Sequence, residues 1–307
     1  MPMTDLPYFK IAIVAVFVAS TVYVHFRGRV RLKFFRQLTD HSTFMAPINC
    51  FMYLFSKLPA KPYLPVAGFP ELQLLQDHWQ DIRAEAYKLA AAGQIKKSDK
   101  YNDAGFNSFF KTGWTRFHLK WYGDAHASAK ALCPVTTELL QRIPTVKAAM
   151  FAALPPGGRL VTHRDPFAGS VRYHLGLVTP NADSCYISVD GERYAWRDGE
   201  GVIFDETYLH YAENQSDQMR IILFCDVERP LNNPLARWVN RFISHTLIRA
   251  ASAPNADTDK TGSINKAFAY VQQVRLFGKR IKARSRFAYY AIQWVLFGGL
   301  LLWWLWP

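Results

Sequence analysis

The sequence predicts a mainly β chain of the antiparallel sandwich or jelly-roll type, with flanking helices and a membrane helix at each end. Three observations lead there. Short β-rich runs occur at 148–154, 159–163, 171–178, 184–189, 193–196, 202–204 and 219–227, separated by turn-forming clusters such as Pro155-Pro156-Gly157-Gly158 and Asp190-Gly191. Many short strands with such punctuation fit antiparallel sheets, and the intervening helices of a doubly wound parallel sheet are missing from the pattern. Before the strands, Leu72, Leu75, Trp79, Ile82, Ala86 and Leu89 recur at spacings of three and four up to Gly93, which marks an amphipathic helix with a glycine stop. Finally, 11–26 and 287–307 carry no formal charge.

In chain order, 11–26, extended by 6–9 beyond a snorkelling Lys10, reaches about the 20 residues a helix needs to cross a hydrocarbon core. A cleaved signal peptide would carry a basic n-region and a small-residue cleavage site, and neither is visible. Arg27, Arg29, Arg31, Lys33 and Arg36 follow this segment; Lys279, Arg280, Lys282, Arg284 and Arg286 precede the second, which ends in Trp303, Trp304 and Trp306. Basic residues on both inner flanks place the intervening domain in the cytoplasm by the positive-inside rule. Much of the net charge of +13 lies in these flanks, so it reads as a collar facing anionic headgroups, not as a nucleic-acid surface. The four cysteines show no paired spacing and read as free thiols.

The chain therefore divides into an N-terminal membrane segment (1–27), a membrane-proximal basic and linker region (28–70), a helical flank (71–146), a jelly-roll catalytic core (147–232), a helical basic region (233–286) and a C-terminal membrane segment (287–307). Within 28–70, the Phe-, Met- and Leu-rich stretch 44–58 reads as membrane-proximal and is followed by prolines. Leu235, Trp238, Val239, Phe242 and Ile243 mark one face of a helix that packs on the domain or lies at the bilayer surface. No feature sets an oligomeric state.

Chemistry concentrates in the strand region. His163 and Asp165 are two apart, so an extended backbone points both to one side. Nine histidines and 24 acidic residues in 307 positions make about 0.7 such pairs expected by chance, so the pair needs context. It ends a strand-like run, His210 follows another strand and turn, and Arg220 opens an apolar strand in which a lone charge is costly to bury. Two imidazoles and one carboxylate on one face of a metal are the triad of non-heme Fe(II) oxygenases. Arg220 then serves as the forked cation for an anionic co-substrate.

Over 157–231 the sequence resembles the aspartyl/asparaginyl β-hydroxylase family of Fe(II)- and 2-oxoglutarate-dependent dioxygenases. The matching residues are His163, the run RYHLGLV from Arg172, the run WRDGEGVIFD from Trp196, His210, Arg220 and Asp226-Val227. With both membrane segments and the run KPYLP from Lys61, the chain looks like the bacterial lipid A hydroxylase branch. The resemblance implies a double-stranded β-helix (jelly roll), with Fe(II), 2-oxoglutarate and O2 as cofactor and co-substrates. It makes His163 and His210 iron ligands, with Asp165 completing a triad that the animal peptide hydroxylases lack. It assigns Arg220 to the distal carboxylate of 2-oxoglutarate and His174 to its near carboxylate or keto end. Arg172 falls where the animal enzymes hold a substrate carboxylate; an acyl chain offers no such group, so its role is left open. A serine that assists 2-oxoglutarate binding in the family falls near Ala152 here.

The implied reaction is hydroxylation, at carbon 2, of a secondary acyl chain of lipid A at the cytoplasmic face of the bacterial inner membrane. The alternatives are Asp/Asn β-hydroxylation of a membrane-associated protein and a non-catalytic, membrane-tethered jelly-roll binding module.

Overall fold

The computed structural model describes residues 6–98 and 102–305. Trp306 and Pro307 of the C-terminal apolar segment lie outside them. Helix α1 (Leu6–Phe26) leads into α2 (Phe34–Leu38), α3 (His41–Phe44) and α4 (Ala46–Leu54). Next come strand β1 (Tyr63–Leu64), helices α5 (Gln73–Asp77) and α6 (Trp79–Ala91), strand β2 (Thr115–Trp121), and helices α7 (Ala127–Leu132) and α8 (Pro134–Gln141). Eight strands follow: β3 (Val146–Leu154), β4 (Arg159–His163), β5 (Ser170–Val178), β6 (Cys185–Val189), β7 (Glu192–Ala195), β8 (Gly201–Phe204), β9 (His210–Asn214) and β10 (Arg220–Glu228). The chain ends with α9 (Pro234–Ile243), a π-helical turn at Ser244–Ile248, α10 (Ser263–Arg284) and α11 (Arg286–Leu305).

Among the described residues the strands form a six-stranded sheet, β1-β8-β5-β10-β3-β2, and a four-stranded sheet, β4-β9-β6-β7, with antiparallel pairing throughout. The large sheet is covered on both faces, which is why β3, β5 and β10 are almost wholly buried and read as near-continuous apolar runs. Alternate residues then go to different cores. Phe151, Leu175, Leu177 and Leu223 pack outward against Ile82, Ala86 and Leu89 of α6 and Leu139 and Leu140 of α8. Met150, Ala152, Ile222 and Phe224 face Cys185, Ile187, Val189 and Ala212 of the small sheet. The polar residues Arg172, His174, Arg220 and Asp226 keep the parity of Ile222 and Phe224 along β5 and β10, with His174 paired to Phe224 and Arg172 to Asp226.

Several expectations need correction. The stretch 71–146 supplies strand β2 as well as helices. The polar Arg116 and His118 are tolerated in this buried strand because Arg116 pairs with the buried Asp103 and Asn255 bonds the backbone of His118. Strands β1 and β9 were not foreseen either, being too short or too polar for a periodic signal. The segment 44–58 buries Met45, Ala46 and Met52 on the domain while Phe44 and Leu54 stay exposed. In α9 the five apolar residues do not share a face: Leu235, Trp238 and Phe242 point outward, and Val239 and Ile243 pack inward.

Helices α1 and α11 contain segments, Tyr8–Phe26 and Arg286–Trp304, long and apolar enough to cross a membrane, and both are largely unburied. The first is locked to the domain at its end. Arg27, expected in the basic collar, is instead buried, with Nη2 2.7 Å from Asp205 Oδ2, Nη1 donating to Thr207 Oγ1 at 2.9 Å, and its guanidinium between the rings of Tyr53 and Tyr208. Arg229 Nη2 meets the same Asp205 oxygen at 2.8 Å. Two buried cations thus share one carboxylate, an arrangement that tolerates no loss of the shared partner.

Asp205→Ala is expected to destabilise the folded chain by about 3–5 kcal/mol, the range for breaking a buried pair. Burial alone raises the Asp205 carboxyl, but Arg229 and Arg27 pull it well below the usual carboxylate range. Its stabilisation is therefore complete above the unfolded value of about 3.9 and lost as pH falls through the lower folded value. Unfolding of wild type and Asp205→Asn in detergent between pH 3 and 7 tests this; parallel stability curves would count against it.

Candidate metal centre

His163 closes β4 and His210 opens β9, and antiparallel register makes them direct cross-strand partners. Residues so opposed carry their side chains side by side, and the two imidazoles sit with ring centroids 4.3 Å apart. Asp165 lies just past the strand, held by its N–H on Glu206 O at 2.9 Å, and its Oδ1 is 3.8 Å from His163 Nε2. One donor atom from each of the three residues falls within 4.8 Å of the others, close enough to converge on one ion.

The imidazoles are prepared for that. The Nδ1 atoms of His163 and His210 face the carbonyls of Val161 and Tyr208 at 2.7 and 2.9 Å, which fixes the proton on Nδ1 and leaves Nε2 with its lone pair. Burial pushes His163 down, and burial with the neighbouring His163 pushes His210 down to about 3, so both are neutral at pH 7. Asp165 stays ionised: burial raises it, but Arg172 first and then His210 and His163 draw it well below its ordinary value. Neutral imidazoles beside an ionised carboxylate are the donor forms a divalent ion requires.

Arg172 holds this carboxylate in place. Its Nη2 donates to Asp165 Oδ2 at 2.7 Å and contacts Glu206 Oε2, and its Nε donates to Asp226 Oδ1 at 2.9 Å. The guanidinium lies 3.6 Å from the Phe224 ring centroid. Ser170 Oγ donates to Glu206 and Tyr122 Oη to Asp226, completing a closed network. Three carboxylates cannot all ionise cheaply beside one guanidinium. Burial pushes Glu206 and Asp226 up, with Arg172 opposing and neighbouring carboxylates assisting.

The cavity that the triad lines has a volume of about 40 Å³ and is also lined by His174, Trp196, Arg220 and Phe224, with Phe106, Phe109 and Trp114 among its walls. Arg220 is buried, lies 4.5 Å from the Trp196 ring centroid, and donates Nη1 to Ala152 O at 3.3 Å. It has no carboxylate partner among the described residues, and burial lowers it to about 10. Its Nε, both ring nitrogens of His174 and Trp196 Nε1 are buried without hydrogen-bond partners. So many unsatisfied groups around a lone cation fit an anionic ligand with several oxygens. The Phe109 ring lies 4.6 Å from His163, so a ligand larger than a few waters enters only when these aromatics move.

All six residues singled out in the sequence thus line one cavity. A family model described as aspartyl/asparaginyl beta-hydroxylase matches residues 76–230, which contain all six. The chain belongs to this family. An ornithine lipid ester-linked acyl 2-hydroxylase from Rhizobium tropici is 34% identical over 192 residues, 61% of this chain and 66% of that protein. The human aspartyl/asparaginyl beta-hydroxylase is 28% identical over 194 residues, 61% of this chain and 25% of that protein. A solved prolyl-4-hydroxylase from Pseudomonas putida aligns over 50% of this chain and 88% of its own at 19% identity, with a TM-score of 0.34. The matches to the two relatives therefore span less than two thirds of either.

Sequence reading missed Glu206, Tyr122 and the aromatic wall. Asp226 carried a usable signal, six residues from Arg220 in an apolar strand and hence on its face. Glu206 carried none, because it sits in a turn.

Arg172→Met should lower divalent-metal affinity by about 10–100-fold, the usual cost of removing a group that orients a ligand. Titration of the full-length protein with Mn(II) measures this, and Arg172→Lys should recover part of the loss. Unchanged affinity in Arg172→Met would show that Asp165 needs no such support.

Proposed function

We propose that the chain is an Fe(II)- and 2-oxoglutarate-dependent dioxygenase that hydroxylates an acyl chain of a membrane lipid. The observation that carries it is the pairing of a neutral-imidazole and carboxylate cluster with a buried guanidinium lacking any carboxylate partner among the described residues. In this reading His163, Asp165 and His210 hold the iron. Arg220 takes the distal carboxylate of 2-oxoglutarate, and the nitrogens of His174 bond its other end. The two-sheet core is read as a double-stranded β-helix over 147–232, completed by β1 and β2. When bound, iron and 2-oxoglutarate supply the oxidative decarboxylation that activates O2 for insertion into a carbon–hydrogen bond. The chain's own residues do the rest: Arg172 orients Asp165, and Phe106, Phe109 and Trp114 exclude water and offer an apolar path to the metal.

We read the substrate as lipid A, modified at carbon 2 of a secondary acyl chain at the cytoplasmic face of the inner membrane. Support comes from the acyl 2-hydroxylase relative, from two long apolar helices, and from the basic residues on both inner flanks. The rival reading, an Asp/Asn β-hydroxylase, would use Arg172 to grip a substrate carboxylate. Here Arg172 already contacts three carboxylates of the chain itself, which leaves it no free face.

Full-length protein in nanodiscs with Fe(II), 2-oxoglutarate, O2 and lipid A should release succinate and add one oxygen to an acyl chain by mass. Succinate release without lipid oxidation would reject lipid A as the substrate. Arg220→Ala should raise the 2-oxoglutarate KM by about two orders of magnitude, as for a truncated buried charge pair, with Mn(II) affinity unchanged. An unaltered KM would remove Arg220 from the co-substrate site.

A further inference from the structure

A second cavity, about 660 Å³, opens beside the start of α10 and is lined by Trp121, His126, Lys130, His245, Arg249 and Lys260, among others. Lys130, Arg249 and Lys260 are exposed and have no ion-pair partner among the described residues. The adjoining acid, Asp259, is spent internally: it accepts from Ser128 N, Ser128 Oγ and Asn255 N at 2.7 to 3.0 Å. Asp124 also lines the cavity, so three exposed cations face one exposed carboxylate and the balance stays positive.

Two features mark a built site. The 22-residue helix α10 begins at this cavity with Gly262 as N-cap, no side-chain cap and no acid in its first turn, so its first N–H groups and dipole favour an anion. That turn is rigid, because Asn265 donates to Ala251 O and Ser252 O at 2.8 and 2.9 Å, and a Cβ on Gly262 would fall 2.1 Å from Ala250 O. Independently, His126 is only 7% exposed and its Nε2 is buried without a partner.

The setting selects the kind of anion. His245 lies in the π-helical turn after α9, whose Trp238 and Phe242 rings are stacked at 5.6 Å and exposed by 62% and 55%, the habit of interfacial aromatics. Helix α10 is followed by Ser285, whose backbone is extended, and the apolar α11 starts at the next residue. On its inner side the cavity meets the metal centre through one aromatic contact: Trp121 lines it, bonds Ile248 O at 2.8 Å, and packs 6.0 Å from the ring of Phe106 in the metal cavity.

We infer that this cavity binds the phosphate-bearing headgroup of a membrane lipid, positioning that lipid for the metal centre. The inference rests on the lipid hydroxylase reading for its purpose, but its site can be tested without turnover. Full-length protein in neutral detergent is titrated with dodecyl phosphate and separately with inorganic phosphate, following Trp121 by fluorescence against a Trp121→Phe control. The expected result is dodecyl phosphate binding at least about tenfold tighter than inorganic phosphate. Arg249→Gln with Lys260→Gln, both exposed positions, should weaken it by at least about tenfold while Mn(II) affinity is unchanged. Equal affinity for inorganic phosphate would make this a soluble-anion site and overturn the lipid assignment. Binding unaffected by the double variant, or none, would overturn the site itself. Loss of binding in the variant alongside absent lipid hydroxylation would leave the headgroup site standing and count against the catalytic reading alone.

Discussion

The centre depends on one buried guanidinium. Arg172 stands on β5 in the inner face of the large sheet and reaches Asp165 from the loop after β4, Glu206 from the turn after β8, and Asp226 from β10. Those carboxylates come from separate parts of the chain, and none would be tolerable there without the cation. Satisfying Arg172 holds together the loop that carries Asp165 and the turn that carries Glu206 and leads to His210 at the start of β9. The clustering of His163, Asp165 and His210 thus accompanies the solution of a burial problem.

Covering both faces of the large sheet makes that arrangement possible. Its outer face packs on α6 and α8 and supplies rigidity, so its inner face can hold Arg172, His174, Arg220 and Asp226 among apolar neighbours. Low effective dielectric strengthens each pairing and penalises each unpaired group. Arg220 and His174 keep polar atoms unsatisfied at the bottom of the cavity, while Arg172 is fully engaged at its mouth. This contrast separates side chains with unsatisfied polar atoms from one whose donors are taken up by the protein itself.

The apolar N-terminal helix is integrated with the same loops. Arg27 at its end binds Asp205, one residue before Glu206, and Arg164 donates to Val24 O at 3.0 Å. Asn49 of α4 bonds Pro166 O and Ala168 N, just beyond Asp165. The helix and the loops that carry Asp165 and Glu206 therefore form one packed unit.

Much of this was legible in the sequence because the signals were local. Turn clusters bounded most strands to within a residue or two, and the spacing of Ile82, Ala86 and Leu89 with Gly93 described α6. His163, Asp165, His210 and Arg220 stood out as polar residues at strand ends or in apolar strands. The sequence by itself singled out six polar residues that line one cavity, and two segments long and apolar enough to cross a membrane. Only the tertiary structure decided what Arg172 does, that Arg27 turns inward to Asp205, and that Glu206 and Tyr122 join the network. Those outcomes depend on which distant groups share a low-dielectric space, and charge pairing across a fold has no period along the chain.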